Sequence, residues 1–229
     1  MNSILIKLTG TIFNPSQNGE GFFIEKIINQ IKELKKNYNI GIVIGGGNIF
    51  RGNQHGKQFN LSKTTGHNAG MLATMINGLI LQDLFEKQDL DSIILSAIEC
   101  PKITNIINQQ NIKNALKDNK IIIFVSGTGN PFFTTDTNAI LRALQINAQQ
   151  VFKCTNVDGV YSDDPAKKES VFYKNISYKE YIEKNLKIMD LTAITLAQEN
   201  SIKIRVFNIF KDNALINAIK DPSYGSNIF

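Results

Sequence analysis

Three consecutive glycines, Gly45–Gly47, follow the apolar run Ile40–Ile44, with Asn48 and Arg51 just beyond. Residues without side chains let successive backbone N–H groups point into one concavity, a nest for anions. Arg51 adds a planar fork suited to bidentate phosphate contact. The alternative is a tight turn needing positive φ, which one glycine would satisfy. Lys7 interrupts the apolar segment Ile4–Leu8 and stands two residues before Thr9 and three before Gly10. A lysine is costly to bury unpaired. At a strand's end it either meets water or serves as a point charge for phosphate. In the stretch Ser126–Ala139, Thr134 and Thr135 precede Asp136. Asp136 either caps the following helix or faces an anion site at that helix's N-terminus. Phe132 and Phe133 either stack on a planar base or pin the loop to the core. Thr155, Asp158, Tyr161 and Asp164 surround a glycine turn. That turn reads as an ordinary connection or as the hold for a second ligand. The phosphate-binding patterns GxxxxGK[ST] and GxGxxG are absent.

Ligands of parallel sheets bind outside the carboxyl ends of the strands, so these loops need strands behind them. Short β-branched runs predict strands at Ile4–Leu8, Ile40–Ile44, Ser92–Ser96, Ile121–Val125, Val151–Thr155 and Ile204–Asn208. Helical spacing of apolar residues predicts helices over Phe22–Asn37, Ala69–Lys87, Asn111–Asp118, Thr137–Ile146 and Asp212–Lys220. In the second of these, Leu72, Met75, Ile76, Leu79, Ile80 and Leu84 share one face; in the fourth, Leu141 and Leu144 point inward. Ser177 and Asp190 cap two more helices, running to about Asn185 and Asn200. The alternation implies an α/β fold with a mostly parallel sheet covered on both sides.

The composition suits a soluble globular chain: 42% hydrophobic and 20% charged over 229 residues. The length fits one α/β domain or two small lobes. A weak boundary falls near Ala148, where loops lengthen. The net charge of +5 comes mostly from lysines that alternate with acids on helix faces. That pattern is a solvated surface, and no basic stripe interleaved with aromatics points to nucleic acid. No apolar run approaches the roughly 20 residues that span a bilayer, and the N-terminus does not read as a signal peptide. Cys100 and Cys154 form no metal-ligand spacing and no disulfide framework, which suits a reducing cytoplasm. Neither His55 nor His67 is convincingly placed as a base.

Seven ordered blocks carry a resemblance over nearly the whole chain. They are KLTG (7–10), GGGNIFRG (45–52), GMLATMINGL (70–79), GTGNPFFTTD (127–136), VDGVYSDDP (157–165), LKIMDLTA (186–193) and RVFN (205–208). Together they resemble the bacterial UMP kinases, a branch of the amino acid kinase family. The resemblance implies a three-layer α/β/α sandwich with a mostly parallel central sheet. It implies transfer of the ATP γ-phosphate to UMP, giving UDP, in a cytoplasmic homohexamer. Mg²⁺ would be carried by ATP, with no metal site on the protein. A single domain, 1–229, would comprise a UMP-binding lobe (about 1–147) and an ATP-binding lobe (about 148–229).

By motif, Lys7, Leu8, Thr9, Gly10, Gly47, Arg51, Thr155, Tyr161 and Asp164 resemble ATP contacts. Gly46, His67, Thr128, Gly129, Asn130, Pro131, Phe132, Phe133, Thr134 and Thr135 resemble UMP contacts. Lys7, Arg51 and Asp136 resemble the catalytic set. Three positions depart from the family pattern: Thr11 where a Glu is usual, His67 where an acid is usual, and Asn156 where a Lys is usual. Inhibition by UTP is expected from its similarity to the product. The only arginines are Arg51, Arg142 and Arg205, on the GGGNIFRG motif, the predicted helix Thr137–Ile146 and the late strand, so GTP activation is not expected. The alternatives are another member of the family, acting on a carboxylate or carbamate, and a UMP-sensing regulator without turnover.

Overall fold

In the computed structural model, which describes residues 1–14, 23–51 and 56–229, nine strands form one sheet. Phe22, Gly52 and His55 lie outside the described residues. The strands are β1 (Asn2–Leu8), β2 (Tyr38–Ile44), β3 (Ser92–Ser96), β4 (Asn105–Ile106), β5 (Ile121–Val125), β6 (Gln150–Thr155), β9 (Asn175–Ile176), β10 (Lys203–Asn208) and β11 (Ser226–Ile228). They pair in the order β4-β3-β5-β2-β1-β6-β10-β11-β9. Every neighbouring pair is parallel except β10 with β11. A separate antiparallel hairpin joins β7 (Val160–Tyr161) to β8 (Phe172–Tyr173). The six expected strands are all present; the short strands β4, β7, β8, β9 and β11 go beyond what the sequence pattern predicts.

Helices cover both faces: α1 (Phe23–Leu34), α2 (Lys63–Glu86), α3 (Gln109–Lys117), α4 (Thr135–Gln145), α5 (Tyr178–Glu183), α6 (Leu191–Glu199) and α7 (Ala214–Lys220). Strand alternation divides the core in two. Ile4, Ile6 and Leu8 of β1 pack with α1, α2 and α7. Leu5 packs on the opposite side with α3, α4 and α6. The caps explain where helices begin. Ser62 accepts from the Thr65 N–H, Thr134 from Asp136, Ser177 from Glu180 and Asp190 from Ala193. The first of these starts α2 six residues before the expected Ala69.

The structure settles which way one apolar face points and corrects another. In α2, Met71, Met75, Gly78, Leu81 and Phe85 are buried. Leu72, Ile76 and Ile80 are 50%, 48% and 42% exposed, so they form a stripe on the outer side. The helix is apolar on two faces, and periodicity alone does not tell which one meets the sheet. In α4, Leu141 and Leu144 are only half-buried, while Ala139, Ile140 and Ala143 fill the core. Among the described residues no helix is long and apolar enough to cross a membrane.

Candidate active site

The parallel sheet brings the loops after β1, β2, β5 and β6 to one edge. β1 and β6 are neighbours, and Lys7 stands beside Lys153 in register. Two like charges side by side on one sheet face repel. Asp136, from the first turn of α4, settles between them. Its carboxylate accepts from Lys153 Nζ at 2.6 and 2.7 Å and pairs with Lys7 Nζ at 3.2 Å. All three side chains are largely buried, at 13%, 7% and 13% exposure for Lys7, Lys153 and Asp136. Burial alone would raise the Asp136 pKa; the ammoniums of Lys153 and Lys7 outweigh it and hold the carboxylate down at about 2. Burial pushes Lys153 down to about 8, against the pull of Asp136 and with the repulsion of Lys7. The cluster carries a net positive charge of one at the mouth of the sheet.

Capping is therefore not what Asp136 does. Thr134 caps α4, its hydroxyl accepting from the Asp136 N–H at 2.9 Å. Asp190, the cap of α6, accepts from Thr137 at 2.8 Å and from Thr134. One carboxylate thus ties the starts of two helices together beneath the charged cluster. Sequence reasoning misses both Lys153 and Asp190 as site residues. A signal for Lys153 exists: Lys7-Leu8-Thr9 and Lys153-Cys154-Thr155 place a lysine and a threonine at matching points of adjacent strands.

The three glycines have separate reasons. None of them takes a positive φ, so the tight-turn alternative fails. A Cβ on Gly46 would lie 2.8 Å from the Ala73 Cβ and 2.9 Å from the Gly70 carbonyl, so α2 approaches too closely for any side chain. Gly45 runs beside Gly10: a Cβ on it would lie 3.4 Å from the Gly10 N, an ordinary contact. Among the described residues a Cβ on Gly47 would meet the Arg51 side chain alone, at 3.5 Å, so no packing among them demands glycine there. Asn77 of α2 fixes the loop, donating to the Gly45 carbonyl at 2.6 Å and exchanging hydrogen bonds with Asn48 at 2.7 and 3.1 Å. Arg51 is exposed and donates from Nε to the Gly47 carbonyl at 2.9 Å. The Thr9 hydroxyl lies 3.0 Å from that of Thr11.

The segment Thr128–Thr135 leaves the sheet through Ser126 and Gly127, at φ 62° and 56°. Gly129 sits at φ 80°, and a Cβ on it would lie 2.9 Å from the Ala97 carbonyl oxygen. Phe132 also takes a left-handed backbone, φ 72°, which is strained for a bulky residue. Its ring is 61% exposed and Phe133 47%, so neither pins the loop to the core. Phe132 instead lies 5.0 Å from His67 of α2. A cavity of about 520 Å³ opens beside this pair, with Lys57 and Lys63 on its wall. Thr128 and Asn130 hydrogen-bond to each other across the turn. On the β6 side, the Thr155 hydroxyl donates to Asn156, Tyr161 packs edge-on against Phe172, and Asp164 is exposed and accepts from the Ala166 N–H. Asp158 accepts from Asn208 and Lys211 at 3.1 and 2.7 Å.

Two buried lysines held by one carboxylate, a side-chain-free loop and an open strained segment at one sheet edge suit a reaction between phosphates. Residues 2–208 match the profile of the amino acid kinase family. The chain belongs to the amino acid kinase family. Within that family, a uridylate kinase of Mycoplasma genitalium is 46% identical over 222 residues, covering 94% of this chain and 90% of that protein. One from Colwellia psychrerythraea is 42% identical over 232 residues, 98% of this chain and 92% of that protein. The crystal structure of UMP kinase from Ureaplasma parvum superposes with a TM-score of 0.91 at 37% identity, covering 99% of this chain and 98% of that one. The mostly parallel sheet with helices on both faces is thus the amino acid kinase fold.

Proposed function

We propose that the chain is a UMP kinase, transferring the γ-phosphoryl group of ATP to UMP and giving UDP. The observation that carries this is the Lys7–Asp136–Lys153 cluster beside the Gly45–Gly47 loop, continuous with the GTGNPFFTTD segment. Donor and acceptor are both anionic and repel each other. Catalysis of such a transfer rests on positioning and charge neutralisation rather than on covalent help. Asp136 accepts from Lys7 and Lys153, holding both ammoniums at the sheet edge and orienting them without cancelling their sum. Lys7 spreads positive charge to the oxygens that gain negative charge in transit. Arg51 and the Gly47 backbone hold the donor phosphates, and Gly46 lets the acceptor approach the same loop. The acceptor oxygen is already ionised near neutral pH, so no general base is required.

Both oxygens of Asp136 are engaged by lysines. Among the described residues no group of three or more His, Cys, Asp or Glu is placed to hold a metal ion. Mg²⁺ enters as part of the MgATP substrate, where it offsets phosphate charge. The lobe before about residue 147 supplies the UMP contacts, His67 and Thr128–Thr135 among them. The later lobe supplies Thr155, Tyr161 and Asp164 to ATP. The exposed Leu72, Ile76 and Ile80 stripe supports burial against a further copy of the chain, as a homohexamer requires, and the enzyme works in the cytoplasm with UTP as a product-like inhibitor. Incubation with ATP, Mg²⁺ and UMP, CMP or acetylglutamate tests the assignment. UDP forms from UMP and not from acetylglutamate; absence of UDP would overturn the reading.

A further inference from the structure

Arg142 is a buried cation that the reaction just described does not use. It projects from α4, is 6% exposed, and among the described residues no carboxylate pairs with it. Its partners are neutral. Nε donates to the Asn138 side-chain carbonyl at 2.9 Å, Nη1 to the Gln145 side chain at 2.6 Å, and Nη2 to the Gly127 backbone carbonyl at 3.4 Å. The guanidinium also lies over the Phe124 ring, 5.9 Å from its centre. Burial lowers its pKa to about 10, which leaves it charged at neutral pH. An uncompensated buried charge is expensive, and the guanidinium forces a second cost. Asn138 must turn its oxygen toward Arg142, and its buried amide nitrogen has no partner.

These costs fall where the acceptor segment leaves the sheet. Ser126 and Gly127 are consecutive left-handed residues, and Ser126 carries a side chain in that strained region. Two elements hold the Ser126 side of this take-off: Thr74 Oγ1 accepts from the Ser126 N–H at 2.7 Å, and the Ser96 hydroxyl lies 3.0 Å from that of Ser126. Arg142 holds the other side, reaching the Gly127 carbonyl and, through Asn138, the first turn of α4 that carries Asp136.

We propose that Arg142 is a positioning residue for the acceptor nucleotide: it ties the Gly127 end of the Gly127–Thr135 segment to α4, the helix on which that segment ends. This rests on the UMP kinase reading. Direct contact with the substrate is not needed, since the guanidinium acts through Gly127 and Asn138. A lysine keeps the charge but loses the fork that reaches Asn138, Gln145 and Gly127 together. Methionine keeps the apolar stem and loses both.

Steady-state kinetics of R142K and R142M, with UMP and ATP varied separately, tests the assignment, and circular dichroism reports folding. The KM for UMP rises about threefold in R142K and tenfold or more in R142M, while the KM for ATP stays within twofold. Equal rises in both constants, or an unchanged KM for UMP in a folded R142K, would overturn the positioning role while UDP formation still upholds the kinase reading. R142K decides the matter if R142M does not fold. Failure of the unmodified chain to form UDP would overturn both.

Discussion

Two lysine–carboxylate clusters face the same edge of the sheet and differ in burial. Asp136 sits between Lys7 and Lys153 with 13% of its side chain exposed. Asp158 meets Lys211 at 2.7 Å, with 44% and 54% of the two side chains exposed. The contact distances are alike and the consequences are not. In the first cluster burial works against the charges of Asp136 and Lys153, and it would raise Asp136 if the lysines did not hold it at about 2. In the second, the hydrogen bond from Lys211 is the main reason the Asp158 carboxyl is lowered, and burial opposes it without prevailing. Charges in a low-dielectric setting constrain the structure around them; charges in water leave it free.

Removing Asp136 is the severest way to break this contrast. Asp136→Ala leaves two buried ammoniums unpaired, which costs about 3–5 kcal/mol of stability and abolishes transfer. Urea unfolding at neutral pH measures the first effect; a loss under about 1 kcal/mol, within the surface-pair range, would erase the distinction between the clusters. The pH dependence has a definite sign. A carboxyl with a lowered folded-state pKa contributes stability that is complete above its ordinary value of 3.8 and is lost as pH falls through about 2. An Asp136→Asn chain therefore lacks that acid limb.

Lys7→Ala comes next. It leaves Asp136 paired with Lys153, so the fold survives. Loss of one charge-stabilising donor lowers kcat by about 10²–10³-fold, far more than it raises the KM for UMP. A variant that lost affinity for UMP and kept kcat would move Lys7 from transition-state stabilisation to plain binding.

The glycine loop shows what is legible in the sequence and what is not. Its position, the six long strands and the capped helices follow from local pattern, because apolar period and cap chemistry are local. The reason for each glycine is not local, since it depends on how closely α2 passes. Lys153 escapes sequence reasoning for the same reason: a lysine in an apolar strand gains meaning only when register sets it beside Lys7 and α4 supplies Asp136. The outward Leu72, Ile76 and Ile80 of α2 mislead periodicity, which detects apolar faces without saying what covers them. The two-residue strands β7 and β8 are too short for any alternation to show. Gly46→Ala and Gly47→Ala separate packing from binding here. The first forces a Cβ within 2.8 Å of Ala73 and costs about 1–3 kcal/mol. The second leaves the melting temperature unchanged and weakens ATP binding. Equal melting temperatures for the two chains would remove the packing reason for Gly46.

The exposed pair gives the smallest effect and the finest test. Asp158→Ala and Lys211→Ala each change stability by roughly 0.2–1 kcal/mol, because water solvates whichever partner remains. A double-mutant cycle isolates the pair from the Asn208 hydrogen bond that Asp158 also accepts. Screening sharpens the result further. The Debye length is about 10 Å at 0.1 M salt and about 3 Å at 1 M, so the coupling between Asp158 and Lys211 fades over that range. The Asp136 cluster, shielded by the sheet and α4, keeps its coupling in the same solutions. A salt-insensitive Asp158–Lys211 coupling would mean that the β6 and β10 loops close over the pair, and that its ions depend on each other as strongly as those around Asp136.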